Sequence, residues 1–480
     1  MERLANYRYQ TIRDWEGKIK KISQKEYTSS IGHGQYYPGE GALAFQEKLG
    51  DVIYFLGGAR HTKPAHWSMS DIMFKVKLKE LSDGSNYTLD SYDIINPSTS
   101  ETSEPPKLVF SAGLTIQAKK SKMVGFSVNG KSLQLRDVDM ALTNEINLYE
   151  TVGPKHTTYR IRTIRTPDRA QTVKVISKSA EILQQGNIPP PMYASTLTLV
   201  KKDGALAGEA DLVGGNSLVQ ERATPIQIML GMKSIWEEQS SGNVFVLKFN
   251  LDIQSFEWEK KQVEVLPRAH HSSMVADNKL YVFGGVNYVT KVRYDIRPVI
   301  IDIVNWVLLS AIIPESFPDI SLSGHSFCQV TEHECIFIGG YNQLKGDKTN
   351  EACDKMIKMV VKEEEVVSLE VKSLWCGPIN QASLIQTPKE NVFVVAGGNE
   401  ERWALLSENI APSAPCSLEK QNKCILVKTP ENYLEDTVNW LACDGPCARW
   451  FHVPCVHLTH EDFVRISKQK KWYCKRSDCK

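Results

Sequence analysis

No cysteine occurs in the first 327 residues of this 480-residue chain, so disulfides do not organise its larger part. Long apolar runs are also missing. The longest, Val299 to Ile313, is broken by Asp302 and Asn305, and it falls short of the roughly 20 residues that cross a bilayer as a helix. Charge of one sign is not in excess, with 57 Lys and Arg against 56 Asp and Glu, so nothing predicts a general affinity for polyanions. The opening Met1-Glu2-Arg3-Leu4-Ala5-Asn6 has no apolar signal region. Together these features predict a protein of a reducing compartment, cytoplasm or nucleus, with no membrane span. The length exceeds one ordinary core and predicts a large domain plus a small one.

What the first part lacks, the end concentrates. Seven of the eleven cysteines lie between Cys416 and Cys479. With His452 they run as Cys416-x7-Cys424, Cys443-x3-Cys447, His452-x2-Cys455 and Cys474-x4-Cys479. A close pair supplies two donors from one turn at little entropic cost, and tetrahedral zinc needs four soft or borderline donors. Eight donors in four pairs predict two structural zinc ions. A disulfide cluster is the weaker reading, because the spacing is that of metal ligands and nothing indicates secretion.

Cys443-Asp444, the Arg449-Trp450-Phe451-His452 segment and Trp472-Tyr473-Cys474 resemble a plant homeodomain (PHD) finger. In that family the pairs interleave in a cross-brace. The resemblance implies Cys416, Cys424, His452 and Cys455 on one zinc, and Cys443, Cys447, Cys474 and Cys479 on the other. A RING finger shares the cross-brace, but Trp472, two residues before the seventh donor, is a PHD feature. The first pair departs from the family, which usually separates those cysteines by about two residues. His457 and His460 lie close enough to compete with His452, although the spacing of His452 matches the family. PHD readers carry an aromatic cage where Tyr433, Trp440 and Trp450 fall here, which implies capture of a methylated ammonium by cation–π attraction. Asp444, Glu435 and Asp436 would face the basic residues of such a tail. Covering the zinc sites is the alternative role for Trp440 and Trp472.

A second recurrence fills the rest of the chain. A glycine pair follows an apolar run at Gly57-Gly58, Gly214-Gly215, Gly284-Gly285, Gly339-Gly340 and Gly397-Gly398. The later pairs are about 55 to 70 residues apart. The gap between the first two spans about three such periods and leaves room for two weaker units, one of them near Met123 to Gly130. Arg268-x2-His271-Ser272 and Gly324-His325-Ser326 recur in phase, which gives His270-His271 a structural rather than metal-binding role. Trp258, Trp306 and Trp375 also recur. Each unit reads as a buried apolar strand, a glycine turn, a second strand, a loop and an outer strand carrying tryptophan. This resembles the kelch repeat, whose units form four-stranded propeller blades. The expected fold is all-β: a six-bladed kelch-type β-propeller over residues 41–408, a linker at 409–415, and a small cross-braced two-zinc PHD finger at 416–480. Residues 1–40 would supply a ring-closing strand or an arm, and Asn96 to Lys107 a surface loop.

A degenerate kelch propeller ending in an atypical PHD finger resembles the second recombination-activating gene protein family, accessory subunits of V(D)J recombinase and its transposon relatives. The long acidic hinge and basic tail of the vertebrate members have no counterpart here, as in an invertebrate or transposon-borne relative. The resemblance implies a non-catalytic nuclear subunit that docks on a catalytic recombinase or transposase subunit, supports DNA cleavage and reads histone H3 tails methylated at lysine 4. For DNA the sequence offers Lys155, Arg160, Arg162, Arg165 and Arg169, a basic stretch suited to phosphate contact, with a solvated loop as the alternative. A smaller cluster is Lys119, Lys120 and Lys122. The competing function is a kelch substrate adaptor or ubiquitin ligase with a RING-like module.

Overall fold

A run such as Val392-Phe393-Val394-Val395 has no polar face to give to water, so it demands pairing on both edges and packing on both faces. The computed structural model meets that demand. It describes residues 8–11, 40–46, 51–63, 66–69, 73–80, 87–97, 108–119, 122–133, 140–142, 144–152, 158–164, 184–203, 206–222, 234–253, 255–342, 351–353, 355–373, 379–388, 392–398, 402–407, 440–442, 450–452 and 465–466. Among these the only helical residues are Arg465 and Ile466.

Five large sheets, with strands in antiparallel meander order, surround one axis as a β-propeller. The longest contains two four-stranded meanders, Leu43–Gln46 through Tyr87–Pro97 and Ala112–Lys119 through Thr158–Ile164. Within the sheet they are joined at their outer strands, where a parallel contact pairs Asn96 with Thr158 and Pro97 with Tyr159, and their innermost strands meet where Gln46 N–H donates to Thr115 Oγ1 at 3.1 Å. Asn96 and Pro97 therefore end a strand, and the expected surface loop starts later. At the other end of the chain, Arg8–Thr11 pairs antiparallel with Arg402–Ser407 as the outermost strand of the last meander, fastening the beginning of the chain to the end of the ring.

The apolar run before each glycine pair is the second strand of its meander, not the innermost. Val52–Leu56, Glu334–Ile338 and Val392–Gly397 are buried almost throughout, because each is flanked within its sheet and covered on both faces by neighbouring sheets. Between the meanders of Ser272–Leu309 and Ser326–Ser373, for example, Met274, Phe283, Phe337 and Ile357 form one cluster. After the glycines the chain makes a short hairpin at one end of the propeller, seen at Ala59–Met69, Asn216–Ser240 and Val286–Arg293. These hairpins form a crown. Trp258 lies on an outer strand as expected, donating from Nε1 to Gln184 Oε1 at 2.7 Å. Trp306 instead occupies the turn before its outer strand, with Lys261 Nζ 4.6 Å above its ring. Trp375 lies outside the described residues.

The glycine pairs are junctions. Every one has positive φ at both positions, and Asn129-Gly130 repeats this with φ of 59° and 123°. It is the one further unit that the described residues show between Gly58 and Gly214, where two were expected. Gly130, Gly215, Gly285 and Gly340 each donate from the backbone to a carbonyl of the next unit, at Met192, Arg268, Leu322 and Ile379, over 2.7–2.8 Å. A Cβ on Gly214, Gly284 or Gly339 would fall 2.6, 2.5 or 1.8 Å from one of those same carbonyl oxygens. Only hydrogen fits there.

Asp211 is the least compensated charge in this packing. It is 1% exposed, and neither carboxylate oxygen has a hydrogen-bond partner among the described residues. Burial pushes its pKa up to about 8, with Lys261 opposing. Below about pH 4 the carboxyl is protonated in folded and unfolded chains alike and costs nothing. As pH rises toward 8 the unfolded chain ionises while the folded one resists, so stability falls. Asp211→Asn is therefore expected to leave the melting temperature unchanged near pH 4. It should raise it increasingly up to pH 8, by on the order of a few kcal/mol of unfolding free energy. Melting curves of both chains across that range check it, and a pH-independent difference would refute it.

Candidate functional site at the crown of the propeller

Six residues circle the axis at the crown end, each at the head of an innermost strand: Gly41, Phe110, Ala194, His270, Gly324 and Gln381. All have φ between 53° and 67°. Each backbone N–H donates to the carbonyl of the neighbour before it, the first to the last: Gly41 to Gln381 at 3.2 Å, Phe110 to Gly41 at 3.2, Ala194 to Phe110 at 2.9, His270 to Ala194 at 3.0, Gly324 to His270 at 2.9 and Gln381 to Gly324 at 2.8. The circle is closed. Four of its members are not glycine, so their left-handed conformation is strain held in place by this ring.

Side chains rise from the circle into the crown. The His270 ring meets Phe110, Tyr193 and Tyr288 edge-on, at centroid distances of 4.9, 6.1 and 5.9 Å. Tyr193 donates its hydroxyl proton to Glu238 through a short hydrogen bond and accepts from Asn216 Nδ2 at 2.7 Å. Burial, together with Glu238, holds the Tyr193 hydroxyl well above the usual tyrosine range. Arg293 donates from Nε to Ser323 Oγ at 2.7 Å and lies 5.7 Å over the Tyr341 ring. Burial and the charges of Glu238 and Glu40 raise Tyr288 in turn. Glu40 is 8% exposed, and burial alone pushes its carboxyl up to about 7. Two carboxylates, one guanidinium and three tyrosines thus converge on the mouth of the axis. They are scattered from residue 40 to residue 341, so no local motif announces them: Glu40 and Tyr193 directly precede members of the circle and Tyr341 follows Gly340, while Glu238, Tyr288 and Arg293 come from crown hairpins.

The in-phase histidines are structural. His271 is buried, shares a 3.0 Å hydrogen bond between Nε2 and Thr196 Oγ1, and is held well below the usual histidine range by burial and the nearby Arg268 charge. His325 Nε2 lies 2.8 Å from Ser272 Oγ, and burial lowers its pKa to about 4. Both remain neutral and tie one unit to the next. Among the described residues, Asp277, Glu332 and His333 are close enough to share a metal ion, but all three are surface or half-buried groups.

Of the expected DNA contacts, Arg160 and Arg162 lie on one face of the strand Thr158–Ile164. Their register partners are Glu150 and Leu148, so a carboxylate position stands directly across from Arg160. Lys155, Arg165 and Arg169 lie outside the described residues. So do Cys416, Cys424, Cys443, Cys447, Cys455, Cys474, Cys479, Tyr433 and Asp444. Within the C-terminal module the described strands Trp440–Ala442 and Trp450–His452 pair antiparallel, Trp440 opposite His452 and Ala442 opposite Trp450. Opposed positions share a face, so Trp440, Trp450 and His452 belong to one side of this hairpin. The intervening sequence 443–449 holds Cys443 and Cys447, and Cys455 follows the second strand. Thiolates and an imidazole are the donor types that zinc takes.

These features define an all-β propeller with a polar, aromatic crown at its axis. No family model and no curated protein matches the chain. Among solved structures it is similar to a chain of the cryo-EM structure of RAG in complex with one melted RSS and one unmelted RSS, at 14% identity and a TM-score of 0.45, over 77% of this chain and 95% of that one. It is also similar to the structure of YjhT, at 13% identity and a TM-score of 0.44, over 77% and 94% of the respective chains.

Proposed function

We propose that the protein is a non-catalytic accessory subunit of a nuclear DNA recombinase or transposase, whose propeller docks on the catalytic subunit and whose C-terminal module reads chromatin. The observation that carries the docking half is a set of exposed apolar residues on the outer strands of two neighbouring meanders and in the segments that flank one of them. Val304, Val307, Leu308, Ile312 and Val367 are 47–67% exposed there, and the backbone joins Ile312 to Glu365 between the two meanders. Aliphatic side chains gathered on an edge are the kind of surface that a protein partner covers. Six blades are supported by the closed six-membered circle and by the division of the longest sheet into two meanders.

In the C-terminal module, Cys416, Cys424, His452 and Cys455 would hold one zinc and Cys443, Cys447, Cys474 and Cys479 the other, supplying a structural clamp. Trp440 and Trp450 sit diagonally on one hairpin face, roughly 7–8 Å apart in such sheets, a spacing from which two rings can flank a methylated ammonium. Tyr433 and Asp444 would complete that guest site. DNA contact through Lys155, Arg160, Arg162, Arg165 and Arg169 would be independent of sequence and weakened by salt.

Co-expression with a candidate catalytic subunit, followed by pull-down and a DNA nicking assay, tests the docking. The expected result is co-purification and nicking that depends on this chain. Leu308→Asp with Val367→Asp should lower recovery of the partner at least tenfold. Nicking at an equal rate without this chain would end the proposal. For the reader, titration of the full chain with histone H3 tail peptides should show a preference for the methylated fourth lysine. Trp450→Ala should abolish that preference, and an unchanged preference would remove Trp450 from the cage.

A further inference from the structure

At the end of the propeller opposite the crown, three turns from two neighbouring meanders meet. Asp277 stands in the turn between Ser272–Ala276 and Lys279–Phe283, Glu332 and His333 in the turn between Ser326–Gln329 and Glu334–Ile338, and Glu363 in the turn between Lys355–Lys362 and Glu365–Ser373. The turns are fastened to one another. Glu363 N–H donates to Asp277 Oδ2 at 3.2 Å, Gln329 Nε2 to the Val275 and Glu332 carbonyls at 3.1 Å each, and Val361 N–H to the His333 carbonyl at 2.9 Å. Side chains carried on such braced backbone are positioned before a ligand arrives.

Asp277, Glu332 and His333 offer two carboxylates and an imidazole whose donor atoms lie within 4.8 Å of one another. Asp277 Oδ2 is 3.5 Å from His333 Nδ1, beyond the reach of about 2.7–3.2 Å of an ordinary N–H···O bond. Nδ1 has no hydrogen-bond partner among the described residues. The gap is instead the one that two donors keep across a metal ion, since bonds of about 2.0–2.2 Å at a tetrahedral angle set them roughly 3.4 Å apart. Both side chains are about one-third exposed, at 34% and 30%, so an ion can reach them from solvent. Glu332 is exposed and its longer side chain can close the remaining distance. Charge favours a cation as well. The nearby lysines are already engaged, Lys279 with Glu364 at 3.5 Å and Lys358 with Glu334 at 2.9 Å, and neither Glu332 nor Glu363 has an ion pair among the described residues.

We propose that Asp277, Glu332 and His333 form a metal site separate from the C-terminal module, which takes a borderline divalent ion of the zinc class and clamps two neighbouring meanders together. The imidazole sets the class, because nitrogen suits zinc whereas magnesium and calcium take oxygen donors. Three donors without a thiolate leave a coordination position to water or to a partner's side chain. They also hold the ion less tightly than cysteines do, so it is lost on purification and returns when supplied. The competing reading is a plain ion pair between Asp277 and protonated His333, which predicts no stoichiometric metal.

Calorimetric titration of the full purified chain with Zn²⁺, Mg²⁺ and Ca²⁺ tests this. One saturable zinc site per chain is expected beyond the zinc already carried, at least tenfold tighter than Mg²⁺ or Ca²⁺, together with a rise in the melting temperature of the propeller. His333→Ala and Asp277→Asn should each weaken zinc at least tenfold and remove that rise. Asparagine tolerates the positive φ of 49° at residue 277, so Asp277→Asn keeps the turn. Glu332→Gln, on an exposed side chain, should weaken zinc about threefold. Cys443→Ser should leave the added site in place, which separates it from the C-terminal module. No saturable added site, Mg²⁺ or Ca²⁺ bound as tightly as zinc, or zinc affinity unchanged in both His333→Ala and Asp277→Asn would overturn the proposal. The comparison of the three ions on the unsubstituted chain decides it even if a variant fails to fold.

Discussion

Replacing Gly339 with alanine is expected to remove on the order of 3–5 kcal/mol of stability, a large share of the roughly 5–15 kcal/mol that a folded domain has. Two costs add. Gly339 has φ of 65°, where a Cβ costs about 1–2 kcal/mol by itself. That Cβ would also stand 1.8 Å from the Ile379 carbonyl oxygen and 2.8 Å from its carbon. Both are backbone atoms of the next unit and cannot rotate away. Moving them would break the 2.7 Å bond from Gly340 N–H to that same carbonyl and pull on Gln381, two residues on, in the axial circle. Gly113→Ala is the matched comparison. Its Cβ would meet the tip of the Leu43 side chain at 2.6 Å, a flexible group, and its φ is not left-handed. Its expected cost is under about 1 kcal/mol. Urea or thermal melts of the two variants separate them, and equal losses would mean that the glycine pairs do not act as junctions.

Removal of zinc is expected to have the second large effect, and a differently placed one. A small module braced by eight donors has little apolar core, so metal binding supplies about 10 kcal/mol or more of its folding free energy. The purified chain should carry two zinc ions. A strong chelator should unfold the C-terminal module, making it sensitive to protease, while the melting of the propeller stays in place. The cysteines described in the propeller explain the difference. Cys335 and Cys353 are buried in the apolar core, and burial pushes the Cys335 thiol well above the usual range, so it is not a ready metal ligand. Cys443→Ser should reproduce the effect of the chelator on the module alone. Absence of zinc by elemental analysis, or a propeller melt that falls with the module, would contradict it.

Much of the propeller was legible because its cause is local. A glycine pair after an apolar run states that the chain must turn with positive φ immediately after a buried strand, and five such statements are written plainly. Asn129-Gly130 was harder to read because asparagine, unlike most residues, also tolerates that conformation, so the same turn was made with a different letter. The order of strands within a unit was misread for a physical reason too. The reading put the apolar strand first in its unit, but another strand precedes it, and the second strand is the more apolar because it is covered by neighbours on both edges and both faces, whereas the innermost strand borders the axial channel.

By itself the sequence determined the repeated strand-and-turn unit, the all-β class and the eight candidate metal donors, because each depends on residues within a few positions of one another. Tertiary structure alone decided the closed circle of backbone hydrogen bonds, the pairing of Arg8–Thr11 with Arg402–Ser407, and the approach of the Glu40 charge to Tyr288 and Tyr341. These join residues that lie far apart in the chain. Nothing in the composition around Glu40 marks it, because its unusual burial arises only when the first unit closes against the last.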